Sequence, residues 1–154
     1  MFPDLSAVVR QVLKDNTCEE SYAFFRDRAL LTGTNAVVDK VNEHMLGDLD
    51  KTTHKTYFST DSIDSCSPEE KALWPLDILH SLTPTGMPPH ALTLAPGALI
   101  ILLRNIDADA GLCNGVRAIV IKVCDRVLDV LLVSGTKAGT RAYIPRFEFA
   151  PKKS

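Results

Sequence analysis

Basic side chains in the C-terminal part of the sequence are the residues best suited to chemistry, because guanidinium and ammonium groups bind phosphate oxygens. Residues 1–95 hold 8 Lys and Arg against 14 Asp and Glu, a net charge of −6. Residues 96–154 hold 9 against 5, a net charge of +4. A basic part joined to an acidic part is typical of a surface that faces an anion, although ordinary scatter of charge gives the same numbers.

The candidate phosphate contacts lie in and around a run of short apolar segments. Arg104 and Asn105 follow one such segment. Arg can hold a phosphate through two hydrogen bonds, and Asn can bond a nucleic-acid backbone; the alternative is an ion pair with Asp107 or Asp109. Four more basic residues could bind phosphates if they lie together on one face of a β-barrel, the fold that the predicted strands after residue 90 indicate. Each of them alone is more often a solvated charge. They are Arg117, Lys122, Lys137 and Arg141.

A second group of polar residues stands where an apolar run ends and a helix begins. Thr32, Thr34 and Asn35 surround Gly33 at this junction. Backbone N–H groups at the start of a helix favour phosphate oxygens, so contact with a nucleic-acid backbone is one interpretation. Helix capping by Thr34 or Asn35 is the other, and the sequence favours neither.

Aromatic residues near the C-terminus offer a third kind of contact. Tyr143, Phe147 and Phe149 could stack on unpaired bases. Packing inside the protein is the alternative, and it is favoured for the two Phe residues.

Several catalytic patterns are missing from the sequence. No glycine-rich loop of the G-x-x-x-x-G-K-[ST] type is present, so nothing here predicts a phosphate cradle for ATP. His80 and His90 are ten residues apart across a Pro-rich stretch and are interpreted as loop histidines, so no metal site is predicted. Asp107 and Asp109 lack the length and spacing of a calcium loop.

The first half of the chain reads as helices around one short strand. Apolar spacing predicts helices over 5–14 and 18–26. Residues 28–32 form an apolar run that predicts a buried strand. A further helix begins at Thr34 or Asn35, with Gly47 as its stop. Strand, tight turn and helix together indicate an α/β unit.

After residue 90 the hydrophobic period changes to that of strands. Asn114-Gly115 is a strong tight-turn signal, and Pro and Gly residues separate the other segments. Short strands at regular spacing indicate a small antiparallel barrel. The predicted strands are 91–94, 98–103, 117–123, 127–133 and 141–145.

Apolar residues make up 45% of the chain and charged residues 23%, which suits a packed core. The longest apolar run is too short to span a bilayer, and no signal peptide is visible. Four scattered cysteines without a C-x-x-C pair indicate free thiols in a reducing compartment.

Six segments in order resemble Pif-type (petite integration frequency) DNA helicases, most closely the group found in plants, oomycetes and Helitron transposons. The segments are RALLTGTN with VDKVN (28–42), YFSTDS (57–62), LHSL with GMPPH (79–90), LLRNID (102–107), GLCNGVR (111–117) and GT, AG and YIPR (135–146). Gly33 replaces the usual Pro of the family, and Ala95 replaces a usual Lys. Phe2-Pro3-Asp4-Leu5 is similar to the start of the family's second motor lobe.

The resemblance implies an α+β or α/β fold: part of the RecA-like second motor lobe with an inserted Src-homology-type antiparallel β-barrel. The implied divisions are a helical segment 1–27, a partial lobe 28–113, a barrel 114–147 and a tail 148–154.

The resemblance also implies a function. The whole protein would be an ATP-dependent helicase of genome maintenance, covering repair, recombination, telomere upkeep or transposition. It would use ATP and Mg²⁺, whereas this piece would need no cofactor and would have no catalytic residue. The expected partners are single-stranded DNA and the rest of the motor, with no membrane, in the nucleus or, for the whole protein, the mitochondrion. The alternative is a stand-alone remnant that binds nucleic acid or protein without motor activity.

Overall fold

The computed structural model describes residues 18–29, 31, 33–62, 74–83 and 87–148. Contacts divide the chain into two compact units. The first, residues 1–55 with 94–146, is called the four-stranded unit; the second, residues 56–93 with 147–154, is called the two-stranded unit. None of the described helices combines the length and apolar character that a bilayer-spanning segment needs.

In the described part of the chain, two α-helices precede the first strand. Helix α1 covers Cys18–Arg26 and α2 covers Asn35–Asp48. Both were predicted, although α2 runs through Gly47, because a glycine inside a helix costs only about 1 kcal/mol and does not force an end. A short 3₁₀ turn, Lys51–Thr53, begins at Asp50, whose side chain accepts from the backbone N–H of Thr52. The predicted helix over 5–14 lies outside the described residues.

The predicted buried strand at 28–32 is wrong where the structure describes it. Arg28, Ala29 and Leu31 lie outside any strand, and Leu31 is 91% exposed; Leu30 and Thr32 are outside the described residues. An apolar run becomes a buried strand only when it joins a sheet and other elements cover both faces of that sheet. Among the described strands none pairs with this run.

The two-stranded unit contains helix α3 (Leu76–Ser81) and all but one end residue of each of the strands β1 (Lys55–Phe58) and β2 (Ala91–Leu94), which pair. The hydroxyls of Thr56 and Thr93 lie 2.8 Å apart and join the two strands. The backbone N–H of Ser59 donates to the carbonyl of His90 at 2.9 Å, so the pairing continues past the strand ends. β2 has the bounds that the sequence predicted.

The four-stranded unit is built on one antiparallel sheet with the order β3-β4-β5-β6. Its strands are β3 (Leu99–Ile101), β4 (Arg117–Val123), β5 (Val127–Leu132) and β6 (Arg141–Pro145). All four were predicted, two of them with the same bounds. β3 precedes residue 114, where the barrel was expected to begin, and pairs with β4.

The core of this unit lies on one face of the sheet. Alternation places every second residue of β6 on that face, and the burial pattern of the strand alternates accordingly. Asn114-Gly115 forms the predicted turn, with Gly115 at φ +82° and the N–H of Val116 bonded to the carbonyl of Cys113. The core consists of Leu102, Leu112, Val116, Ala118, Val120, Val130, Leu132, Ala142 and Ile144.

Cys113 and Cys124 are free thiols, as predicted for these two cysteines.

Candidate nucleic-acid interface

The face of the sheet opposite the core carries the polar residues of interest. Ile119 of β4 pairs with Leu131 of β5, which pairs with Arg141 of β6. One step further along, Lys122 pairs with Asp129, which pairs with Tyr143. Cross-strand partners share a face. Lys122, Asp129, Tyr143 and Arg141 therefore form one cluster, called here the open end of the sheet.

Asp129 is the centre of the open end. It is only 8% exposed, yet it carries a carboxylate. Arg141 compensates it: Nε donates to Oδ1 at 3.2 Å, and Nη2 donates to Oδ2. The Arg141 side chain keeps 57% of its surface exposed, so the pair is buried on the acidic side and accessible on the basic side.

Tyr143 and Lys122 flank this pair on neighbouring strands. The Tyr143 side chain is 62% exposed although it belongs to a strand. Lys122 is exposed on β4, beside a register shift between Val120 and Lys122. A bulge of this kind bends a strand and changes the direction of its side chains. The open end therefore presents a cation, an ion pair and an aromatic ring side by side.

An open groove of about 690 Å³ continues from the open end. Lys137, Arg141 and Tyr143 line it together with Asp107 and Asp109. Asp107 Oδ1 accepts from the backbone N–H groups of Asp109 and Ala110 at 3.0 and 3.1 Å, so this carboxylate closes its own loop. The groove carries both signs of charge and does not form a purely basic surface.

The position of Lys137 depends on a glycine. Gly111 has φ +77°, and a Cβ added there would lie 2.7 Å from Cβ and Cγ of Lys137. The stem of Lys137 therefore packs on the bare Gly111 backbone, which only glycine permits at this distance and φ.

Arg117 lies on the same face at the other end of the sheet and has a different environment. Its Nη1 donates to the carbonyl of Arg28 at 2.8 Å and its Nη2 to the carbonyl of Arg26 at 3.2 Å. These bonds hold the chain that follows α1. Phosphate contact by Arg117 remains a prediction, and its guanidinium already has two protein partners.

The remaining predicted residues are at the ends of loops. Asn105 Oδ1 accepts from the backbone N–H of Asn114 at 2.8 Å and closes the loop before the turn. Arg104, beside it, is half-buried. Thr34 precedes α2 and its carbonyl accepts from Val37 and Val38, but its side chain makes no capping bond. Thr34 therefore does not cap α2 through its side chain.

Asn35 is the first residue of α2, and Thr32 lies outside the described residues. Asn35 lies outside the strands that form the open end, so the described structure brings together only part of the predicted set. Phe147 is 40% exposed, and Phe149 lies outside the described residues.

Comparison with known proteins shows what this chain is similar to. The family model of the DNA helicase Pif1 2B domain matches residues 77–123, which include most of α3 and all of β2, β3 and β4. A solved chain superposes with a TM-score of 0.52 at 20% sequence identity; it comes from work on DNA unwinding at forked double-stranded DNA by two coordinating Pif1 helicases. The chain is similar to Pif1 helicases. The resemblance seen in the sequence motifs is thereby confirmed.

The extent of each match limits what it shows. The superposition covers 96% of the Pif1-like chain and 32% of the solved helicase chain, so this chain spans about a third of that protein's length. At this identity the likeness concerns the fold. No curated protein matches the chain significantly. The matched range 77–123 contains Arg104, Asn105, Arg117 and Lys122, whereas Lys137 and Arg141 lie outside it.

One cluster of polar side chains was not predicted from the sequence. His80 and His90 were taken as separate loop histidines, but their rings stack with centroids 3.6 Å apart. Asp61 lies beside both. A spacing of ten residues does not predict this contact. The two rings meet because the chain turns back between α3 and β2.

Proposed function

We propose that this chain is part of an ATP-dependent DNA helicase and contributes contacts to single-stranded DNA. The parts of that motor that bind and hydrolyse ATP with Mg²⁺ would be supplied by other sequence, in the nucleus or mitochondrion. The described sheet would belong to the barrel inserted into the second RecA-like lobe. Support comes from the Pif1-like fold and from the motifs collinear with the family.

The observation that carries the DNA role is the open end of the sheet with its groove. Lys137 and Arg141 line the groove with the exposed Tyr143, and Lys122 lies on the same face of the sheet, on the far side of Asp129. Cations that follow a phosphate backbone, next to an aromatic ring on which a base stacks, are the usual means of binding single strands without sequence preference. Asp107 and Asp109 in the same groove limit the affinity.

Titration of a labelled oligothymidine with the 154-residue chain at several salt concentrations tests this proposal. Each phosphate contact contributes about −0.7 to the slope of log affinity against log salt for single strands. Lys122→Gln and Lys137→Gln should each reduce the slope by about that amount, whereas Lys51→Gln, an exposed lysine of the 3₁₀ turn, should leave it unchanged.

Tyr143→Ala should weaken binding about tenfold or more, because stacking of one base contributes roughly 1–3 kcal/mol. An affinity that none of the open-end variants changes would refute this site. The chain alone should not hydrolyse ATP in the presence of DNA, and activity that survives repurification would refute its assignment as a motor part without an ATP site.

A second candidate function is protein interaction by a stand-alone remnant. The two-stranded unit exposes large apolar side chains: Phe58 at 58%, Trp74 at 47% and Leu76 at 59%. Exposed apolar residues of this size are typical of interaction surfaces when they are contiguous. Complete absence of DNA binding at low salt would favour this candidate, since phosphate contacts strengthen as salt falls.

A further inference from the structure

Three potential metal ligands converge in the two-stranded unit. Asp61 Oδ2 lies 3.4 Å from His90 Nδ1 and 3.7 Å from His80 Nε2. These three atoms all lie within 4.8 Å of one another. The three side chains are between 22 and 32% exposed, so the group is neither fully solvated nor sealed.

The fold supplies each ligand from a different element. Asp61 follows β1, His80 belongs to the last turn of α3, and His90 directly precedes β2. The Ser59 N–H bond to the His90 carbonyl fixes the Asp61 and His90 segments relative to each other. The ring of Phe58 contacts the His90 imidazole at a centroid distance of 5.6 Å and limits its movement.

We propose that Asp61, His80 and His90 bind a divalent transition-metal ion of the Zn²⁺ class and so tie α3 to the β1–β2 pair. Two imidazole nitrogens and one carboxylate oxygen form a common zinc donor set, with water in the fourth position. Metal–ligand bonds of 2.0–2.2 Å in a tetrahedron separate the donor atoms by about 3.4 Å. The distances from Asp61 to both histidines are already close to this value.

Ion binding requires one rearrangement. The rings of His80 and His90 are nearly parallel, with 15° between their planes. An ion should lie near the plane of each imidazole that binds it, and one ion cannot lie in two parallel planes 3.6 Å apart. One ring must therefore turn about its Cβ–Cγ bond, which ends the stacking. The turn is feasible because both side chains are partly exposed.

Ser59 holds the group together before an ion binds. Its hydroxyl donates to Asp61 Oδ2 at 2.8 Å and lies 2.8 Å from His90 Nδ1. An ion binds a neutral imidazole through a ring nitrogen that carries no proton, so His90 must hold its proton on Nε2 when Nδ1 binds the ion. Protons compete with the ion for the ligand atoms, and affinity therefore falls as the solution becomes more acidic.

Calorimetric titration of the tag-free 154-residue chain with Zn²⁺ tests the proposal. We expect one ion per chain, bound more weakly as the pH falls. His80→Ala should reduce the affinity at least tenfold, as loss of a ligand exceeds the 10–100-fold effect of losing an outer partner. The matched control is His44→Ala, which removes a histidine 3.9 Å from Asp48; among the described residues no third metal ligand joins this pair.

A measurement on the unaltered chain keeps the test independent of variant folding. Zn²⁺ should shift the imidazole NMR signals of His80 and His90 and leave those of His44 and His54 in place. Asp61→Asn, which keeps an oxygen for Ser59, should also weaken binding. No stoichiometric binding, equal losses in His44→Ala and His80→Ala, or shifts spread over all four histidines would overturn the proposal and leave a stacked, hydrogen-bonded pair.

Discussion

Arg117 and Arg141 lie on the same face of the four-stranded sheet and meet different surroundings. Near Arg117 the face is covered: Phe25 of α1 packs on Ile119 and Val133, and the guanidinium bonds two backbone carbonyls. Near Arg141 the face is open, and the guanidinium pairs with the nearly buried Asp129 beside an exposed Tyr143. Residue type and strand alternation are alike in both places. The covering helix decides which arginine has a structural role and which can meet a ligand.

The largest effect should come from the covered end. Ile119 is 1% exposed and packs with Phe25. Ile119→Ala should lower the free energy of unfolding by about 3 kcal/mol, because the cavity adds to the loss of buried methyl groups. Ile101→Ala, on the same face but 56% exposed, should change it by about 0.5 kcal/mol or less. Urea unfolding measures both, and equal losses would show that the face is not divided in this way.

Removal of the acid at the open end should affect stability and binding in opposite directions. Asp129→Asn removes the charge that Arg141 compensates, so the free energy of unfolding should fall by about 1–2 kcal/mol. DNA affinity should rise, since the carboxylate that pairs most directly with Arg141 is then neutral. Parallel urea unfolding and oligothymidine titrations measure the two effects. A fall in affinity would mean that Asp129 positions Arg141 for contact.

The two arginines themselves provide a matched pair. Arg117→Gln should cost about 1–2 kcal/mol of stability through its bonds to the Arg26 and Arg28 carbonyls, and it should leave the salt slope of DNA binding unchanged. Arg141→Gln should reduce that slope by about 0.7. Unfolding curves and DNA-binding curves for both variants measure the loss of stability and the change of the salt slope. A reduced slope in Arg117→Gln would restore Arg117 to the DNA-contact set.

Sequence predictions that depend on interactions between residues close in the chain were confirmed, whereas predictions that depend on distant residues failed. β4 and β6 were predicted with correct bounds because alternation along a strand and glycine in a turn are local signals. The strand at 28–32 failed because burial of such a run is decided by distant neighbours, and Leu31 is exposed. The roles of Arg117 and Arg141 and the meeting of His80 with His90 were beyond the sequence for the same reason.

The smallest effect concerns an acidic residue in the turn between β4 and β5. Lys55 forms a hydrogen bond and ion pair with Asp125, and this lowers the pKa of the Asp125 carboxyl below its ordinary value. A lowered pKa in the folded state stabilises the folded protein above the ordinary carboxyl pKa, and this stabilisation is lost as the pH falls through the pKa of the folded state.

Lys55→Met should raise the pKa of Asp125 toward its ordinary value. Carboxyl NMR titration measures this, with Asp50 as the internal control, because its pKa is lowered chiefly by bonds from Thr52 and should not move. A pKa of Asp125 that stays low in Lys55→Met would instead assign the shift to other charges at this turn, of which Arg126 is the nearest in sequence.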